Sequence, residues 1–189
     1  EPCLAQLAEL HARANALVPP LERTWMSEVQ SNWYYNFNAA QRDELATTPF
    51  RCILDAMPAL IAATDACRRR FSHGDIAPHV FFSTGSPVFL DLSAAHTRFQ
   101  MTDVVDILWH FGALKQPMTF QSWLHGWYQY AARLPGSGDH DLREALLLSI
   151  RRTARRLSKG KSIDAARRQS IIDCAVASFN ELSHLGPLT

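Results

Sequence analysis

Apolar side chains recur along most of this chain at the three- and four-residue spacing of a helix, and in one stretch that spacing breaks. Leu4, Leu7, Leu10 and Ala14 share one face of a run from Leu4 to Leu17, which Pro19-Pro20 stops. An aromatic and polar connection, Trp33-Tyr34-Tyr35-Asn36-Phe37, leads to a short helix expected from Ala39 to Leu45. From Pro49 to Arg70 the pattern is helical again, with Phe50, Ile53, Leu54 and Met57 on one face. Pro58 is expected to kink or restart that run, because a proline inside a helix removes a hydrogen bond and crowds the preceding turn.

The period then changes. Val80-Phe81-Phe82-Ser83 and Val88-Phe89-Leu90-Asp91 are short, apolar and rich in aromatic or β-branched residues, and Thr84-Gly85-Ser86-Pro87 between them supplies turn chemistry. They predict a small β-hairpin. Four more helices are expected beyond it, from Asp103 to Ala113, Met118 to Arg133, Asp139 to Ser158 and Ser162 to Ser183, broken by Gly136-Ser137-Gly138 and Lys159-Gly160-Lys161. The fold class is therefore mainly α with a short β-hairpin. No repeat, low-complexity tract or linker divides the sequence, and 189 residues with 47% hydrophobic side chains suffice for one domain over 1–189 with its own core.

Composition narrows the function classes. A net charge of +1 argues against a nucleic-acid partner held by bulk charge. No run approaches the ~20 apolar residues of a membrane span, and no charged start with an apolar core marks a signal peptide, so a soluble, cytoplasmic protein is expected. Cys3, Cys52, Cys67 and Cys174 are scattered and form no CxxC pair, which favours buried thiols over zinc or a disulfide framework.

The candidate chemistry sits at the break in period. Ser72-His73-Gly74-Asp75-Ile76-Ala77-Pro78-His79-Val80 reads as a tight loop carrying an aspartate, and Asp91 ends the second hairpin strand. An exposed loop aspartate can accept a hydroxyl proton, and an aspartate at a following strand end can hold a magnesium ion on nucleotide phosphates. The hairpin would start beside Asp75 and return Asp91 toward it. Taken alone, Asp75 is ordinary turn chemistry and Asp91 an ordinary cap.

His73-Gly74-Asp75 with Pro78, followed by a hairpin ending in Asp91, resembles the aminoglycoside phosphotransferase and choline kinase branch of the protein-kinase-like fold. Leu4-Ala5-Gln6-Leu7-Ala8-Glu9-Leu10-His11-Ala12 is similar to the helix after the interlobe hinge of that family, and Thr102-Asp103-Val104-Val105-Asp106-Ile107-Leu108 to its acidic segment entering the next helix. The likeness covers roughly the first 115 residues in order. It implies the C-terminal lobe of the kinase-like α+β fold and transfer of the ATP γ-phosphoryl group to a hydroxyl of an amino sugar, an amino alcohol or a similar metabolite. In that implied site Asp75 is the catalytic base, His73 braces the loop, Asp91 binds Mg, ATP is the cosubstrate and Asp106 is the structural brace. Nothing before residue 70 looks like the family's amino-terminal nucleotide-binding lobe with its Gly-rich loop and lysine. The chain starts at Glu1-Pro2 and reads as a processed or excised piece, the other lobe being absent, removed or supplied in cis or in trans.

Two positions depart from the family pattern. Val80 stands where an asparagine binds metal, and Ser93 where a second acid often follows the metal aspartate. A pseudokinase-like binding module without turnover is therefore the competing expectation. His73, Asp75, His79 and Asp91 also permit a zinc- or manganese-dependent hydrolase, although no HExxH accompanies them, and no GxSxG elbow supports a serine nucleophile. Arg151, Arg152, Arg155 and Arg156 read as the solvated end of a helix, and Trp123, Trp127, Tyr128 and Tyr130 as packing residues that would otherwise line an acceptor pocket.

Overall fold

The computed structural model describes residues 2–17, 35–76, 80–83, 86–90, 96–115, 119–159 and 163–188. These residues are mainly α-helical and include two short antiparallel strand pairs. In chain order the elements are α1 (Pro2–Leu17), α2 (Ala39–Ala46), α3 (Arg51–Asp55), α4 (Met57–Asp65), β1 (Arg69–Ser72), β2 (Val80–Ser83), β3 (Ser86–Phe89), β4 (His96–Phe99), α5 (Met101–Lys115), α6 (Phe120–Ala131), α7 (Asp139–Ser158) and α8 (Ala165–His184). The chain divides into two compact units: Glu1–Arg23 with Arg68–Gln116 and Gln121–Ala145, and Thr24–Cys67 with Pro117–Phe120 and Leu146–Thr189.

The first unit is organised around α1. Cys3, Leu4, Leu7, Ala8 and His11 are its buried residues, one stripe at helical spacing, and the helix lies against β1, β3 and α5. Burying each leucine of that stripe contributes about 1.5–3 kcal/mol. Val104, Val105, Ile107 and Leu108 of α5 and Trp123, Trp127 and Tyr130 of α6 are buried in the same unit. The aromatic cluster of α6 is thus mostly core, while Tyr128 on its other side is 55% exposed. Gly126 lets α6 come close to its neighbours: a Cβ there would overlap Leu108 Cδ2 and touch Leu4 Cδ1 at 3.6 Å.

Both strand pairs belong to this unit. The hairpin expected from the change of period is present, with Val80 opposite Phe89 and Ser83 opposite Ser86. Its second strand starts two residues earlier than the apolar pattern indicates, so Pro87 lies within it, opposite Phe82. A proline is tolerated there because each strand of a two-stranded pair has a free edge. The second pair corrects the sequence reading. Arg69 and Arg70, expected to end a helix, begin β1, which pairs with β4 from Arg69 opposite Phe99 to Ser72 opposite His96. A partner 30 residues away along the chain in that first pairing overrides the local helical preference.

The second unit follows local signals closely. Asn38 and Gln41 form a reciprocal capping box at the start of α2, at 2.9 and 3.0 Å. The long helix expected from Pro49 is restarted rather than kinked: α3 ends at Asp55, and Pro58 occupies the first turn of α4, where its missing N–H has no intrahelical partner to lose. Asp164 caps α8 by accepting the Arg167 N–H at 2.8 Å. Phe50, Ile53, Leu60, Leu146, Ile150, Ile172 and Leu182 are buried in this unit. Arg155 and Arg156 are exposed in the last turn of α7 as expected, whereas Arg151 is only 4% exposed, so the basic run is not wholly a solvated face.

All four cysteines are described and none is in a disulfide. Cys3, Cys67 and Cys174 are buried and Cys52 partly so. Among the described residues no helix is long and apolar enough to cross a membrane.

Candidate functional site

The chain leaves β1 at Ser72 and turns through His73, Gly74 and Asp75. Gly74 has a φ of +86°, a left-handed backbone that a Cβ would strain, so this turn requires glycine. Ser72 and His73 are fully buried, while Asp75 is exposed. A segment with two buried residues and one exposed acid has to be held by something inside the protein.

Asp103, in the first turn of α5, supplies the hold. Its side chain is 0% exposed. One carboxylate oxygen, Oδ1, accepts from the Ser72 hydroxyl at 3.0 Å and the Gly74 N–H at 3.0 Å. The other, Oδ2, accepts from the His73 N–H at 2.6 Å and lies 3.1 Å from His11 Nε2. Burying a carboxylate is costly unless hydrogen bonds replace its hydration, and here each oxygen has two donor groups. The arrangement stabilises the charge and fixes three consecutive residues of the turn at once.

His73 ties the turn to the hairpin. Its Nε2 is 2.9 Å from the Leu90 carbonyl oxygen. A carbonyl only accepts, so Nε2 carries the proton, and Nδ1 is left as a buried acceptor with no hydrogen-bond partner among the described residues. Leu90 immediately precedes Asp91 in the chain. Asp91 itself lies outside the described residues, as do Pro78, His79 and Ser93. Val80, at the asparagine position of the resembled pattern, is the first residue of β2.

The structure therefore brings His73, Asp75 and the chain just before Asp91 to one place. Asp103, nearly one helical turn before Asp106, makes these bracing contacts to the turn. The reason lies in β1 and β4: their pairing leads directly into α5 and sets its start against β1. Asp106 is half-buried further along the helix. Asp103 lies in the first turn of α5, where negative charge is favoured, and Asp106 lies beyond it.

Two residues of the site carried a weaker signal. His11 falls on the apolar face of α1 and is 0% exposed, its ring between Asp103 and the Tyr130 hydroxyl, which is 2.7 Å from Nδ1. A histidine on the core stripe of a helix demands buried polar partners, and that demand was visible; which partners would meet it was not. Tyr130 is 0% exposed, and burial, with the nearby Asp141 and Asp103 carboxylates, pushes its phenol well above the usual range.

For metal binding the described donor set is thin. No group of three or more His, Cys, Asp or Glu side chains among the described residues is placed to hold a metal ion. The oxygens of Asp103 are taken by hydrogen bonds, and Asp75 is the acid that the turn presents at its surface. Comparison with protein-family models, curated proteins and solved structures finds no match to this chain.

Proposed function

We propose that this chain is the helical carboxy-terminal lobe of a kinase-like small-molecule phosphotransferase. The observation that supports this most is the division of labour between two aspartates. Asp103 is buried and spends both oxygens on the backbone and side chains of the turn, while Asp75, two residues beyond His73, is left exposed. An ordinary surface turn needs no such internal clamp. A loop that must present a carboxylate at a fixed point does.

In this reading Asp75 accepts the proton of the acceptor hydroxyl as the new O–P bond forms to the γ-phosphorus of ATP and the bond to the ADP oxygen breaks. His73 holds the turn against the Leu90 carbonyl, and Asp91, the next residue, is the magnesium ligand that the resemblance implies. The acceptor is a hydroxyl of an amino sugar, amino alcohol or related metabolite, the nucleotide-gripping lobe comes in cis or in trans, and the protein works in the cytoplasm.

One specific observation favours a second reading. Val80 has no oxygen to offer a metal where the resembled pattern has asparagine, which suits a binding module that keeps the fold without turnover. Calorimetric titration of the longest natural form with ATP, with and without magnesium, tests the two. Magnesium-dependent binding supports the phosphotransferase; no binding by a two-lobed form overturns it and leaves the binding module.

A further inference from the structure

Three helices converge on Asp103, and their contacts run in one direction. Tyr130 of α6 reaches His11 Nδ1 at 2.7 Å, His11 of α1 reaches Asp103 Oδ2 at 3.1 Å, and Asp103 of α5 holds Ser72, His73 and Gly74. Tyr130, His11 and Asp103 are each 0% exposed. Proton positions follow from the acceptors. Asp103 also takes two backbone N–H groups and so acts as an ionised acceptor; His11 Nε2 must then carry the proton toward it. In the tautomer with its proton on Nε2, Nδ1 is an acceptor and the Tyr130 hydroxyl donates to it. Every hydrogen in the relay points toward Asp103.

We propose that His11 and Tyr130 are positioning residues for Asp75, acting through Asp103 to fix the Ser72–Asp75 turn. This deepens the phosphotransferase reading and rests on it for the purpose of the turn, while the relay itself is a matter of geometry. Packing supports it. The His11 ring meets Tyr130 edge-on with centroids 5.8 Å apart and meets Phe71, the residue before Ser72, at 6.4 Å. One imidazole thus touches the strand that leads into the turn, the acid that clamps the turn, and α6. Burial favours the neutral phenol at Tyr130, which keeps it a donor. Without that donor, Nδ1 would be a buried acceptor with nothing to accept from, and the ring would have one fewer constraint on its orientation.

Native-state hydrogen exchange on the full-length protein, read by NMR at the His73 and Gly74 amides, provides the test. In Tyr130→Phe these two amides are expected to exchange at least about tenfold faster relative to the Ile107 and Leu108 amides of α5, equivalent to about 1.4 kcal/mol of local opening. His11→Ala should give the same selective loss. His11→Gln, which returns an N–H near the Nε2 position, should recover most of the protection. A general role in stability would move all four amides together, and that result overturns the proposal. So would unchanged protection of His73 and Gly74 in Tyr130→Phe, the variant that decides if His11→Ala does not fold. The exchange result is independent of nucleotide, so a failed ATP titration removes the phosphotransferase reading without touching the relay.

Discussion

Replacing Asp103 by asparagine changes one oxygen to an NH2 group and tests directly whether the acid clamps the turn or merely favours a helix start. Asp103 accepts at both oxygens, from Ser72 and Gly74 at Oδ1 and from His73 and His11 at Oδ2. Asparagine can serve only one of these sides. With its NH2 toward Ser72 and Gly74, the serine hydroxyl can rotate to accept, but the Gly74 N–H faces another donor. With the NH2 toward His73, the backbone bond at 2.6 Å is lost instead, and His11 must change tautomer. Either orientation leaves one buried backbone N–H without a partner and removes the charge from the remaining bonds.

An unsatisfied buried group costs about 1–3 kcal/mol, and each surviving bond loses part of the extra strength of an ionised acceptor, so a total of about 2–4 kcal/mol is expected. A carboxylate whose only role was to offset the helix dipole would contribute about 0.3–1 kcal/mol. Urea unfolding of wild type and Asp103→Asn, followed by far-UV circular dichroism, separates the two values, because the difference exceeds the uncertainty of linear extrapolation for variants with equal slopes. A loss below about 1 kcal/mol would refute the clamp.

Three further outcomes follow from the same geometry. Gly126→Ala should destabilise the protein by up to about 2 kcal/mol, overpacking against Leu108 set against a gain of about 1 kcal/mol in helix propensity, and Leu108→Ala should cost less in that background than alone; a raised melting temperature would show that Leu108 moves aside freely. Asp75→Asn should abolish phosphotransfer by a two-lobed form that still folds by far-UV circular dichroism; retained turnover would remove it as the base. Stability should fall at alkaline pH. Burial pushes the Cys174 thiol from 9.0 to about 12, so between these values the unfolded chain releases a proton that the folded chain keeps, and unfolding becomes easier by about 1.4 kcal/mol per pH unit. Tyr35 and Tyr130, raised mainly by burial, extend the loss above pH 10. Urea midpoints at pH 8 and 10.5 check this, and Cys174→Ala should flatten the slope below pH 10.

What could be read in the sequence were the elements whose causes are local. The helix over Asp139 to Ser158 lies where its periodicity puts it, and the start of α2 is fixed by an asparagine and a glutamine three residues apart. Pro58 announced a break, and the structure resolves it as a fresh helix start. The β1–β4 pair was not legible. Arg69-Arg70-Phe71-Ser72 and His96-Thr97-Arg98-Phe99 have no run of alternating apolar residues, and each becomes a strand only because the other is there. That one non-local pairing explains how Asp103 comes to brace the turn. With α5 imagined as an isolated helix, Asp103 is only an acid in its first turn. Once β4 feeds α5 back against β1, Asp103 reaches the turn.

The same contrast bears on what kind of site this is. A loop that had drifted free of any function would have no reason to keep a buried carboxylate with hydrogen bonds at both oxygens, since removing acid and donors together in favour of apolar packing is often neutral or stabilising. Asp103, His11 and Tyr130 form such a buried polar assembly, and what it fixes is a turn that displays Asp75. Val80 points the other way, because it removes a ligand from the resembled metal site and leaves the turn's support intact. On the proposed reading, the loop keeps its buried support and lacks one side-chain metal ligand at Val80. Val80→Asn isolates that difference. If the scaffold still serves nucleotide chemistry, restoring the amide should strengthen magnesium-dependent ATP binding in a two-lobed form, read by calorimetry, with little change in stability. If affinity does not move, the turn is not part of a metal-nucleotide site.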